Sequence, residues 1–159
     1  MRVVTTGHGV LAVDLRPARP LPVAAEPDDA TARSLLARAC AALESAWAGR
    51  PSPDLLELPL DWDGVGAWDR RVLEGARTLA AGEATSYGRL ARQIGAPGAA
   101  RAVGAALGRN RFGLFVPCHR VVAGDGSLGG YGDEPDALEI KRDLLALEGL
   151  VLPLTRLVG

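Results

Sequence analysis

The stretch SYGRLARQIGAPGAARAVGAALGR, residues 86–109, constrains the chain more than any other. Thr85 or Ser86 can cap a helix, and GAPG at 95–98 makes a tight turn. Two short helices, expected at 86–94 and 98–109, must therefore reverse direction against each other. GAWDRRVLEGARTLAA supplies a helix before them, at about 66–80. Two short helices around a glycine-bearing turn form the helix-turn-helix pattern, although many helical hairpins bind nothing. The last helix is more specific, because AARAVGAALG is nearly all Ala and Gly and one long cation, Arg101, projects from its first turn. Such a flat surface permits close approach to another backbone, either in a core or on a nucleic acid.

Charge alone leaves the two readings even, but the Ala/Gly helix, its helix-turn setting and a basic block together favour the nucleic acid. Residues 81–120 carry six arginines against Glu83 alone, whereas residues 1–80 balance at −2 and 121–159 at −4. A basic block in the middle of a chain of net charge −1 reads as a phosphate-contacting patch or as a solvated face. A chain of 159 residues, 48% hydrophobic, can bury one sizeable core or two small ones. No run approaches the roughly 18 apolar residues of a membrane span, and the N-terminus lacks a signal-peptide pattern, so a cytoplasmic protein is expected. Two cysteines, neither in a C-x-x-C pair, argue against a disulfide framework or a four-ligand zinc site, so no metal is expected.

The first half reads differently. RVVTT and VLAVDL are two short strands joined by GHG, with His8 in an exposed turn. RPARPLPVAAEP breaks regular structure, though PLPVAA could supply an edge strand. DDATARSLLARACAALESAWAG is helical, capped by Asp28 or Asp29, with Leu35, Leu36, Ala39, Leu43, Ala46 and Trp47 at helical spacing and Cys40 as core packing. The proline-bearing RPSPDLLELPLDWDG is the expected linker, and it gives domains of 1–62 and 63–159.

Cys118 lies within FGLFVPCHRVVAGDGSLGGYG. FGLFV reads as a buried strand ended by Pro117, and VVA, GDGS and LGGY read as a hairpin. A neighbouring imidazole and positive charge are how proteins populate a thiolate. On a continued strand, however, His119 would point away from Cys118, so a water or a bend is needed between them. Glu148, ending the apolar helical run KRDLLALEG, is the best-placed carboxylate to orient the imidazole. Spacing alone leaves a nucleophile and a buried structural cysteine both open.

PCHRVV preceded by Asn110, SYGRLA and RAVGAAL upstream, and LGGY and KRDLLALEG downstream resemble the O6-alkylguanine-DNA alkyltransferase family, in the same order and at similar spacings from about 63 to 150. The N-terminal 60 residues resemble it only in outline. The resemblance implies an α/β two-domain fold: a small ribonuclease-H-like β-rich N-terminal domain, then a helical winged helix-turn-helix domain carrying the cysteine. It implies double-stranded DNA containing alkylated bases as partner, no cofactor, and a monomer that could bind DNA cooperatively. Cys118 would accept the alkyl group from O6 of guanine or O4 of thymine, with His119 as base through a water and Glu148 orienting it. Tyr87 would supply a phenol near the base, and Asn110 would brace the turn before the active-site strand. Leu107, Val121, Tyr131 and Gly132 would line the pocket, with Lys141 at its rim. Arg101 would enter the base stack, with Tyr87, Ala99, Ala102, Gly104 and Arg109 along the DNA. Arg111 departs from the family, standing where proline is common. A non-catalytic lesion-binding relative would lack the acceptor cysteine, and a cysteine hydrolase would turn over without DNA.

Overall fold

A computed structural model of the chain describes residues 2–14, 29–50, 52–131, 137–154 and 157–159. The PLPVAA edge strand, Asp28, Gly132 and most of the acidic loop at 133–139 lie outside them. The chain divides into two compact units, one of residues 1–64 with 111–116 and one of 65–110 with 117–159.

In the first unit, β1 (Arg2–Thr6) and β2 (Gly9–Asp14) form an antiparallel hairpin whose register shifts between Val4 and Thr5. The helix α1 (Ala30–Trp47) is capped by Asp29, whose carboxylate accepts from the Thr31 N–H at 2.9 Å. Ala32, Leu35, Ala39, Ala42 and Leu43 form its buried stripe. The expected stripe runs out there, since Trp47 in the last turn is exposed. Cys40 is half-buried, and burial pushes its thiol up.

The expected linker is part of this unit. It carries the short helix α2 (Asp54–Glu57), and Leu60 bridges Val10, with the Val10 N–H donating to Pro59 O and the Asp61 N–H to Val10 O. Leu58 and Leu60 bury against the core, so the prolines here shape a packed segment. The boundary expected at 62/63 falls at 64/65.

Residues 111–116 also depart from expectation, because FGLFV forms a 3-10 turn at Gly113–Phe115 where a strand was expected. Gly113 explains the difference: its φ is +55°, and a Cβ there would lie 2.8 Å from Val13. The Val13 N–H donates to Arg111 O at 2.7 Å, and Phe112 meets Trp62 edge-on at 4.8 Å between centroids. Arg111 donates to the carbonyls of Asp61 and Asp63 at 2.8 and 2.6 Å.

The second unit holds the reversed helices. These are α3 (Ala67–Arg77), α4 (Tyr87–Gln93) and α5 (Ala100–Gly108), close to the expected spans. Ser86 caps α4, its hydroxyl accepting from the Arg89 N–H. Val72, Leu73, Ala76, Leu90, Ala91, Val103 and Ala106 are fully buried or nearly so, and bind the three helices into one core. The expected hairpin after Cys118 is replaced by a parallel pairing of β4 (Val121–Val122) with β3 (Thr85–Ser86). The GDGS turn survives, with the Ala123 N–H donating to Ser127 O. Helix α6 (Ala137–Leu147) follows, and the C-terminal segment packs Leu154 with Ala84, Val122 and Leu145. Among the described residues no helix is long and apolar enough to cross a membrane.

Candidate active site

Pro117 opens a 3-10 turn at Cys118–Arg120, closed by the Arg120 N–H donating to Pro117 O at 3.0 Å. This is the bend that the sequence left as one option. Successive side chains of such a turn diverge by about 120°, so Cys118 stays partly exposed while His119 and Arg120 are buried.

Cys118 is held from one side by Asn110, whose Nδ2 donates to Sγ at 3.2 Å. Asn110 therefore touches the sulfur itself. Burial pushes the thiol pKa up, while the Asn110 hydrogen bond, the Lys141 charge and the Tyr131 hydroxyl pull it down. The resting group is a thiol with a prepared environment for its anion.

His119, 2% exposed, shares a 3.0 Å hydrogen bond between Nε2 and Glu148 Oε1. Its Nδ1 is buried and makes no hydrogen bond among the described residues. Burial lowers the imidazole pKa, outweighing the opposing pull of Glu148, so the ring is neutral. Burial would raise the Glu148 carboxyl, but the hydrogen bonds from His119 and Arg120 outweigh it and bring the pKa to about 2. With Glu148 ionised, Nε2 carries the ring proton and Nδ1 is left as the acceptor.

Lys141 corrects an expectation. In place of a rim position it is fully buried, and its Nζ donates to the carbonyls of Val121, Leu128 and Gly130 at 2.7, 2.6 and 2.9 Å. Three donors meet three acceptors, which is why an ammonium can be buried here. Burial lowers its pKa to about 8, against the pull of Cys118. The ammonium lies 5.7 Å from the Tyr87 ring centre and 5.8 Å from that of Tyr131. The Tyr87 hydroxyl donates to Gly130 O at 3.0 Å, and burial raises its pKa. Gly129, at φ +64°, lets the backbone pass so close that a Cβ would sit 2.9 Å from the Tyr87 ring.

Cys118, His119, Glu148, Asn110, Tyr87, Tyr131 and Lys141 thus form one connected set. Val121 and Leu107 are buried, at 0% and 6% exposure. On α5, Arg101 and Ala102 are exposed, and Ala99 and Gly104 half-exposed. Arg109 is engaged: its Nε and Nη2 donate to both Asp69 oxygens at 2.7 Å. Trp68 Nε1 donates to Ala102 O at 3.4 Å. The basic block is in large part internally spent, since Arg89, Arg109, Arg111 and Arg120 all bind groups of their own unit.

Sequence reasoning missed Arg120 and Asp69. Arg120 could have been sought from Glu148, because an ionised carboxylate taken into the interior is costly unless another charge compensates it. Asp69 had no local signal, lying 40 residues from Arg109.

The DNA-binding-domain model of 6-O-methylguanine DNA methyltransferase matches residues 67–150. A methylated-DNA–protein-cysteine methyltransferase of Mycolicibacterium paratuberculosis is 49% identical over 96 residues, 60% of this chain and 56% of the relative. One from Mycobacterium leprae is 43% identical over 113 residues, 70% of this chain and 64% of the relative. The matched part therefore spans between about half and two thirds of these relatives' length. A crystal structure of Mycobacterium tuberculosis OGT in complex with DNA superposes with a TM-score of 0.76 at 35% identity, covering 92% of this chain and 84% of that one.

Proposed function

Because the chain belongs to the 6-O-methylguanine DNA methyltransferase family, we propose that it repairs DNA by moving the alkyl group of O6-alkylguanine, and of O4-alkylthymine, onto its own Cys118. The observation that carries this reading is the buried His119–Glu148 pair with Nδ1 left as acceptor, one residue from a partly exposed thiol held by Asn110.

The chemistry is a direct displacement. The Cys118 proton passes through a water to His119 Nδ1, and the imidazolium is stabilised by Glu148. Sulfur attacks the alkyl carbon, the S–C bond forms as the C–O6 bond breaks, and the electron pair leaves on the guanine oxygen. The proton lost by the thiol returns to the base. The ammonium of Lys141 and the Asn110 amide stabilise the thiolate, and the Tyr87 hydroxyl is available to the leaving base once it releases Gly130 O. Leu107, Val121, Tyr131 and Gly132 form the pocket in this reading. The product is a thioether with no activated leaving group, so each molecule acts once.

The alkylated atom is inaccessible inside a stacked duplex, so the nucleotide must be extruded, at a cost of a few kcal/mol. In this reading α4, the turn at 94–99 and α5 are a helix-turn-helix within a winged domain. The small residues Ala99, Ala102 and Gly104 lie along the minor groove and Arg101 takes the place of the flipped base. The first unit is then a ribonuclease-H-like domain. Arg109 joins the DNA contacts only after leaving Asp69.

A lesion-binding protein without transfer is the rival, and Cys118→Ala separates the two. The substitution should abolish methyl transfer from an O6-methylguanine duplex while leaving affinity for that duplex within a few-fold. Wild-type protein that binds the lesion tightly and leaves the methyl group on the DNA would establish the rival.

A further inference from the structure

Arg120 is 7% exposed, and all three nitrogens of its guanidinium donate hydrogen bonds. Nε donates to Glu148 Oε2 at 2.9 Å and to Oε1 at 3.1 Å, Nη2 donates to Oε1 at 2.6 Å, and Nη1 donates to Leu79 O at 2.6 Å. Glu148 also takes His119 Nε2 on Oε1 and the Gly82 N–H on Oε2 at 3.3 Å. A buried ion pair is often no more stabilising than apolar packing of the same volume, so this fork asks for another reason. A free carboxylate can rotate and present either oxygen to an imidazole. A planar guanidinium that engages both oxygens removes that freedom.

We infer that Arg120 is a positioning residue for the alkyl transfer: its fork fixes the Glu148 carboxylate in the orientation that holds His119 by Nε2 and leaves Nδ1 free to accept. This rests on the reading of Cys118 as the alkyl acceptor. The charged and titratable groups around His119 are Glu148, Arg120 and Lys141, those around Glu148 are His119 and Arg120, and Lys141 and Tyr131 act on Cys118. Glu148 favours a protonated His119, whereas Arg120 and Lys141 oppose it. Removing the Arg120 charge therefore eases protonation of both His119 and Glu148, and the acid limb of the transfer rate moves to higher pH. A purely structural Arg120 would affect folding without moving that limb.

The test is the single-turnover methyl-transfer rate on an O6-methylguanine duplex from about pH 5 to about pH 8. It is read for wild type, Arg120→Met, Arg120→Lys, Glu148→Gln and the Met/Gln double variant, with the ring-nitrogen NMR shifts of His119 recorded alongside. Arg120→Met should slow transfer about 10- to 100-fold, raise the acid limb and mix the His119 tautomers. Arg120→Lys should recover part of the rate and return the limb towards its wild-type position. In the Glu148→Gln background, Arg120→Met should cost little more. An Arg120→Met protein with the wild-type profile and tautomer, or an equal cost in both backgrounds, would overturn the inference. If the Met variant does not fold, Arg120→Lys decides: slower transfer with mixed tautomers supports the fork, and wild-type behaviour overturns it. A wild type that takes no methyl group overturns the proposed function together with this role, whereas an active wild type with an unmoved Arg120 variant overturns this role alone.

Discussion

Glu148 joins the His119 imidazole and the Arg120 guanidinium at a single carboxylate, and that makes it the residue whose loss is most informative. Its folded pKa of about 2 lies below the ordinary 4.5. A depressed carboxylate contributes stability that is fully present above the unfolded pKa and is lost as pH falls through the folded one. Glu148→Gln should therefore destabilise the protein near neutral pH, since it also leaves the buried Arg120 guanidinium without its counter-charge. The difference from wild type should shrink as pH drops from about 4.5 towards about 2. Denaturant titrations of both proteins across that range check it, and a difference independent of pH would contradict it. His119 adds to the acid sensitivity, since its lowered pKa means that the unfolded chain takes up a proton the folded one refuses. At this scale the sequence anticipated the His119–Glu148 hydrogen bond, because an imidazole beside a thiol calls for an orienting carboxylate. It passed over Arg120, which read only as one more charge in a basic block, and it misplaced Lys141, whose burial depends on carbonyls from three separate positions.

At the scale of elements, α5 presents its exposed small residues and Arg101 while Val103, Ala106 and Leu107 anchor it. Arg101→Ala should weaken repair of duplex DNA far more than repair of free O6-alkylguanine. Equal losses on the two substrates would remove the role in base extrusion. Asp69 and Arg109 form an ion pair near the surface, which adds little to the fold but occupies the guanidinium. Asp69→Asn should release it, raising duplex affinity and steepening the salt dependence of binding by about one phosphate contact. An unchanged salt slope would mean that Arg109 does not reach the backbone. The helices were legible because their caps and 3.6-residue periodicity are local signals. Residues 112–116 were not, because an apolar run looks the same as a strand or as a buried 3-10 turn. What decides there is the positive φ of Gly113, beside Val13 a hundred residues earlier, where a Cβ would not fit. The partner of β4 was hidden for the same reason, since parallel pairing to Thr85 and Ser86 spans 36 residues.

Across the whole molecule, the first unit is built from β1, β2, α1, α2 and the returning segment 111–116. The second holds Cys118, Asn110, His119, Arg120, Lys141, Glu148 and helix α5. The chain crosses between units at Asn110 and again at Pro117, so the residue that binds the sulfur and the residue that starts the cysteine turn flank the same excursion. The composition shift near residue 60 suggested one linear boundary, and such a boundary could not show the six-residue segment 111–116 grouping with the first unit. The most direct measurement is quantitative: incubate the protein with an excess of duplex carrying labelled O6-methylguanine until transfer stops, then map the label by peptide mass. The expected result is one methyl group per protein molecule, on the peptide bearing Cys118. Label elsewhere, several methyl groups released per molecule, or none transferred would contradict it.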